Sequence, residues 1–298
     1  MNILRKENTR LGFLGLGLMG SRFLRRLNAG GWNVRGWNRS KNVTLPLRKY
    51  GFQIETTLAS LVDGSEVLLS SLADDGAVET VYLGEEGVFA HLPPKTIILE
   101  MSTISPRLSA ILHQEAAKRG AHLIDLAVSG STPAVESGTV TLFAGGEQET
   151  FIRCVPIFEA IARQWFLMGP ATAGIRMKLV VNLLLGIGME AIAEAVSLGE
   201  HLKLNRDLLL EVLPKTAVIA PAFSGKFPKI TMRDYSPQFP LHLMNKDMNL
   251  AQSAAEQSGA ELPAGRAARH VFEEALAESS ELDISAITAF VGALANQR

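Results

Sequence analysis

From Leu11 onward, short apolar runs alternate with stretches of helical spacing. Leu11-Gly12-Phe13-Leu14 reads as a strand ending at a glycine turn. Residues 21–29 place Phe23, Leu24 and Leu27 on one helical side, and Gly30-Gly31 stops that helix. Further strands are expected at 33–37, 67–72, 96–99, 122–125 and 140–144. Strands alternating with helices imply a parallel sheet with crossover helices on both faces. The pattern changes after Pro170. Residues 173–203 are apolar, helically periodic and free of proline, which predicts one long helix. Helices are also expected at 206–212, 245–258, 264–279 and 284–295, with Pro214 and the 227–240 stretch as punctuation. The expected division is an α/β domain over 1–171 and an all-α domain over 172–298.

Composition adds limits. The 298 residues suit two modest domains, and 47% hydrophobic with 20% charged residues is ordinary for a folded protein. A formal net charge of −1 gives no bulk attraction to nucleic acid or to an anionic membrane. Cys154 is the single cysteine, so no intramolecular disulfide forms and a reducing, cytoplasmic setting is expected. It reads as packing more than as a nucleophile. The six histidines are scattered without metal-ligand spacing, so no metal is expected. Residues 1–10 are polar and lack a signal core, and the most apolar run, 179–189, is interrupted by Asn182 and too short to span a bilayer.

The first strand and helix are joined by Gly15-Leu16-Gly17-Leu18-Met19-Gly20, a G-x-G-x-x-G. Gly15 permits a tight turn, Gly17 lets backbone approach a pyrophosphate, and Gly20 allows close helix–strand packing. The helix N-terminus then offers N–H groups and partial positive charge to the anion. This motif in this context predicts a Rossmann-type doubly wound sheet that binds a dinucleotide. The second strand ends at Trp37-Asn38-Arg39-Ser40-Lys41, without the acid that accepts from an NAD ribose. Arg39 can fork onto a 2′-phosphate, and Asn38 and Ser40 can donate to it. The expected cofactor is therefore NADP.

Five blocks in order resemble the β-hydroxyacid dehydrogenases, the family of 3-hydroxyisobutyrate dehydrogenases and glyoxylate/succinic semialdehyde reductases. They are the 13–20 loop, Met101-Ser102-Thr103, Asp125-Leu126-Ala127-Val128-Ser129-Gly130-Ser131, Lys178 with Asn182, and Phe239 with Lys246-Asp247. The resemblance implies that Thr103 and Lys246 approach the nicotinamide end and that Leu72 lies at the adenosine–ribose edge. It makes Lys178 and Asn182 catalytic, and gives Ser129, Gly130, Ser131, Phe239 and Asp247 to the substrate. It also implies a homodimer or homotetramer joined through helical domains. Ala127, Ser131 and Glu100 depart from the family's usual residues.

The chemistry of those residues is consistent with such roles. Hydride reduction of a carbonyl needs a proton donor at oxygen, and Lys178 near the start of an apolar helix suits that. Asn182, four residues on, shares its face. The Ser129-Gly130-Ser131 turn offers hydroxyls and an unobstructed backbone N–H to a carboxylate. Asp247 could orient Lys246 or cap its helix, and Phe239 could wall the substrate or fill the core. The expected activity is NADP-dependent hydride transfer involving a small carboxylate-bearing aldehyde or hydroxy acid. The alternatives are an inactive cofactor-binding scaffold and an imine reductase. Retention of Lys178, Asn182 and Lys246 argues against the first, and lysine at 178 against the second.

Overall fold

The structure is a computed structural model that describes residues 3–295. Met1 and Asn2, the start of the polar N-terminal segment, and 296–298, the end of the second expected domain, lie outside the described residues. The chain divides into two compact units, Met1–Lys178 and Leu179–Arg298.

The first unit alternates as its pattern requires. In order it contains β1 (Arg10–Leu14), α1 (Gly20–Ala29), β2 (Asn33–Trp37), α2 (Lys41–Lys49), α3 (Leu58–Asp63), β3 (Val67–Ser70), α4 (Asp75–Leu83) and α5 (Val88–His91). Then come β4 (Ile97–Glu100), α6 (Pro106–Lys118), β5 (His122–Ser129), α7 (Thr132–Ser137), β6 (Val140–Gly145), α8 (Gln148–Ile161) and β7 (Ala162–Gly169). The seven strands form one sheet in the order β2-β1-β3-β4-β5-β6-β7.

Successive strand residues point to opposite faces, so the fully apolar strands build two cores. Leu11 and Phe13, Val67 and Leu69, and Ile97 and Leu99 face one side with Phe23, Leu24 and Leu27 of α1 and Ile157 and Phe158 of α8. Leu14, Leu68 and Ile98 face the other with Val78 and Tyr82 of α4 and Leu108 and Leu112 of α6. Each such side chain contributes about 1.5–3 kcal/mol by leaving water.

Three features of the sheet depart from the sequence expectation. β6 runs antiparallel to β5, so the sheet is mostly rather than wholly parallel. The link between them carries only the six-residue α7, too short for a parallel crossover. The second departure is β7, absent from the sequence reading, which pairs parallel with β6. Its run Trp165-Phe166-Leu167-Met168 is apolar on both faces, so no alternation marks it. Trp165 and Leu167 pack inward while Phe166 and Met168 are exposed. β3 also stops at Ser70, two residues short of the expected end.

A long helix, α9 (Ala173–His201), runs through the boundary into the second unit. There follow α10 (Arg206–Val212), α11 (Pro221–Ser224), α12 (Phe227–Met232), α13 (Leu241–Ser258), α14 (Pro263–Ser279) and α15 (Ile287–Ala295). The helix expected from 245 begins a turn earlier, at Leu241, behind Pro240. The one expected from 284 opens with a 3₁₀ turn, Ile284–Ala286. Met189, Ile192 and Val196 of α9 form this unit's core with Ile230, Met244, Met248 and Phe272. The whole of α9 is, by length and composition, long enough to cross a bilayer, although the run 179–189 by itself is not. Met189, Ile192, Ala193 and Val196 are buried in this unit's core, which makes the second part of α9 its core helix.

Candidate active site

The phosphate loop follows β1 and opens α1. Gly15 has φ +84°, and a Cβ there would collide with the Ser71 carbonyl oxygen. A Cβ on Gly20 would overlap the carbonyl oxygen of Gly15, so strand and helix close on each other only with glycine at both places. Gly17 has nothing within 4 Å of where a Cβ would lie, which leaves its backbone open to an approaching ligand. Leu16 is buried in the core and Leu18 is exposed. Helix α1 has no side-chain cap and no acid in its first turn, so its positive end is not neutralised locally. The loop therefore fits a pyrophosphate.

At the end of β2 the expected residues separate. Asn38 is folded back: its Oδ1 accepts from the Leu16 N–H at 2.9 Å and its Nδ2 donates to the Ser40 carbonyl at 3.0 Å. These bonds tie the phosphate loop to the β2–α2 turn and use one of the two amide hydrogens of Asn38. Arg39 and Ser40 are exposed beyond it.

The C-terminal ends of β3 and β4 form a buried polar network that the sequence reading missed. The Leu72 N–H donates to Ser102 Oγ at 2.8 Å, and the Ser102 N–H donates to Glu100 at 2.8 Å. Glu100 also accepts from the Ser70 hydroxyl, which lies 2.7 Å from Tyr82 Oη. Burial pushes the Glu100 carboxyl above the usual glutamate range, against the hydrogen bonds from Ser102 and Ser70. Thr103 follows this network and is half-buried. The sequence signalled Glu100 only as an unusual residue, because its partners lie 30 residues away in β3 and two away in the turn. Ser129 ends β5, and Ser131 precedes α7 without capping it. Both are half-buried, and Gly130 between them is exposed.

Lys178 and Asn182 are buried on α9, four residues apart and so on one face. Within the second unit, Asn182 Nδ2 donates to Asp247 Oδ2, and Lys246 Nζ lies 3.0 Å from Asp247 Oδ1. Asp247 Oδ2 thus has a hydrogen-bond partner, whereas Oδ1, beside the Lys246 ammonium, is buried without one. Asp247 stands well inside α13, so it does not cap that helix. Asn182 Oδ1 is buried with no hydrogen-bond partner, as is Asn245 Oδ1. Such orphaned acceptors cost about 1–3 kcal/mol each unless something fills them.

Phe239 is half-buried against the second core, and its N–H donates to Asp283 at 3.1 Å. Asp283 also accepts from Gln238 N–H, Ser285 N–H and the Ser285 hydroxyl, and both its oxygens lie 2.8 Å from Lys226 Nζ. Burial works against its charge, but Lys226 and the hydrogen bonds outweigh it and hold the carboxyl below the usual aspartate range. This pair fixes the loop carrying Phe239. The sequence reading missed it, since the partners lie 57 positions apart. Cys154 is buried and burial pushes its thiol up to about 12, so it packs as a neutral group. No group of three or more potential metal ligands occurs among the described residues.

Comparison with known proteins covers almost the whole chain. Residues 10–169 match a family model described as the NAD binding domain of 6-phosphogluconate dehydrogenase. Residues 172–291 match one described as NAD-binding of NADP-dependent 3-hydroxyisobutyrate dehydrogenase. The chain is 30% identical to glyoxylate/succinic semialdehyde reductase 1 of Arabidopsis thaliana, over 93% of this chain and 96% of that one. It is 32% identical to the NAD-dependent L-serine dehydrogenase of Pseudomonas aeruginosa, again over 93% and 96%. Among solved structures it is similar to the Mycobacterium tuberculosis 3-hydroxyisobutyrate dehydrogenase with L-serine, at 28% identity and a TM-score of 0.81, covering 95% of this chain and 99% of that one.

Proposed function

The chain belongs to the β-hydroxyacid dehydrogenase family, and from that premise we propose that it transfers hydride between NADPH and a small aldehyde acid or hydroxy acid. The substrate class is that of glyoxylate, a short semialdehyde or a 3-hydroxy acid. The observation that carries the reading is the buried Lys178 with Asn182 one turn on, the latter's amide fixed by Asp247.

The cofactor would be held by Gly15, Leu16, Gly17, Leu18, Met19 and Gly20 at its pyrophosphate. Leu72 would lie at its adenosine–ribose edge, and Thr103 and Lys246 at its nicotinamide end. Arg39 and Ser40 would take the 2′-phosphate. A relative named as NAD-dependent shows that the family does not by itself select the cofactor. The choice of NADP rests on the absence of any carboxylate from 37 to 41, with an exposed arginine in its place. When bound, NADPH supplies the hydride. Lys178 delivers the proton to the carbonyl oxygen, and the unpartnered Oδ1 of Asn182 accepts from the hydroxyl that results. Asp247 holds Asn182 and Lys246 in register for these tasks. Ser129, Gly130 and Ser131 bind the substrate carboxylate through hydroxyls and backbone N–H, and Phe239 lines the acid's carbon chain.

Exposed apolar residues of the second unit, Leu184 and Leu198 on α9, Leu202 just past its end and Leu208 on α10, support a homodimer or homotetramer joined through this unit. The lone buried cysteine supports a cytoplasmic setting.

The test is NADPH consumption with glyoxylate, succinic semialdehyde and methylmalonate semialdehyde, and NADP reduction with L-serine and 3-hydroxyisobutyrate. Turnover of at least one is expected. NADPH binding without turnover of any would favour the scaffold reading.

A further inference from the structure

We propose that Asp125, braced by His113, is a positioning residue for Lys178: it caps the helix that carries the lysine and so sets where the amine stands. The proposal rests on Lys178 being the proton donor.

Asp125 opens the segment that ends in the serine turn, yet its side chain points elsewhere. It is buried in β5, and its Oδ1 accepts from the Thr172 N–H at 2.8 Å. Its Oδ2 accepts from the Ile175 N–H at 2.9 Å. His113 of α6 places Nε2 2.8 Å from Oδ1, and since a carboxylate only accepts, that nitrogen carries the hydrogen.

A helix needs partners for its first N–H groups, usually from its own N-cap side chain. Here that route is closed. Thr172 enters α9 with φ 74°, and its buried hydroxyl has no hydrogen-bond partner. The cap comes instead from a strand 47 residues earlier. The carboxylate also sits at the positive end of the helix, where negative charge is favoured. Packing leaves the first turn a single seat. A Cβ on Gly145 would lie 2.6 Å from the Ala173 nitrogen, and one on Gly174 would lie 2.5 Å from the carbonyl oxygens of Asp125 and Phe143.

Lys178 follows the capped Ile175 by three residues, one helical turn. A helix is stiff over that length, so a shift of its first turn moves the lysine with it. A misplacement of about 1 Å costs a reaction roughly a hundredfold.

The test compares Asp125→Asn and His113→Phe, each alone and combined with Lys178→Ala. Asparagine keeps one acceptor but turns an N–H against the other backbone N–H. Asp125→Asn should lower kcat about 10- to 100-fold while substrate KM and NADPH affinity stay within about twofold. His113→Phe should act in the same sense by a few fold, and serves if Asp125→Asn does not fold. Added to Lys178→Ala, neither should lower the residual rate further, because the group being positioned is gone. A raised KM with kcat retained would make Asp125 a substrate ligand and overturn the proposal. So would a loss that multiplies with that of Lys178→Ala, as a purely structural role predicts. If Lys178→Ala is inactive and both other variants are normal, the proposal fails alone. A near-normal Lys178→Ala overturns it together with its premise.

Discussion

One methyl group, added at either of two glycines of the phosphate loop, should have opposite consequences. At Gly17 the new carbon meets nothing within 4 Å, and the residue does not have the positive φ of Gly15. Gly17→Ala should leave the stability of the cofactor-free protein within about 0.5 kcal/mol of the parent, a Tm change of roughly 1–2 °C. The methyl would, however, stand where a pyrophosphate approaches the backbone. Losing two charge-assisted hydrogen bonds, at about 1.5–3 kcal/mol each, is worth roughly 10²- to 10⁴-fold in NADPH affinity. At Gly20 the same carbon overlaps the Gly15 carbonyl oxygen, which is backbone and cannot swing aside. Helix α1 would have to lift from β1, disturbing the packing of Phe23, Leu24 and Leu27. Gly20→Ala should therefore cost about 3 kcal/mol or more, or prevent folding. Thermal unfolding without cofactor and titration of NADPH fluorescence would measure the two effects separately. The reasoning fails if Gly17→Ala destabilises the cofactor-free protein as Gly20→Ala does. It fails equally if Gly17→Ala binds NADPH within about threefold of the parent.

Arg39→Ala should weaken NADPH binding about tenfold to a hundredfold and leave NADH binding unchanged, as paired titrations would show; equal affinity of the parent for both cofactors would refute the assignment. Ser129→Ala should mainly raise KM for carboxylated aldehydes, and equally good reduction of aldehydes without an acid group would contradict the role given to the serine turn. Lys178→Arg should remain at least about a hundredfold slow in single-turnover reduction, since guanidinium keeps the charge but gives up its proton poorly. Lys226→Met should cost about 3–5 kcal/mol in denaturant unfolding by stranding the buried Asp283, while Lys226→Met with Asp283→Asn should recover part of the loss; a single variant within about 1 kcal/mol of the parent would refute it. Because the folded Asp283 carboxyl is held below its ordinary value, its contribution is present above the unfolded aspartate pKa of about 4 and is lost as pH falls toward the folded one.

The sequence determined what adjacent residues can encode. The β1–loop–α1 unit was legible because a buried strand, three spaced glycines and a helical face follow one another directly. The bounds of α10 at Arg206–Val212 were legible for the same reason, as was the change from alternating elements to helices after Pro170. That Lys178 and Asn182 share one face of a helix was legible from their spacing of one turn. Tertiary structure decided whatever depends on a distant partner. The segment 162–169 is a strand because β6 supplies its hydrogen bonds, and β6 reverses because α7 is too short to cross the sheet. That the Asn38 amide oxygen receives the Leu16 N–H, 22 positions earlier, is likewise decided by the fold. Asp247 faces Asn182 across 65 positions, Lys226 finds Asp283 across 57, and Asp125 reaches the head of α9 across 47. A buried polar group must find its complement somewhere, and periodicity records that it is buried without recording by whom it is met.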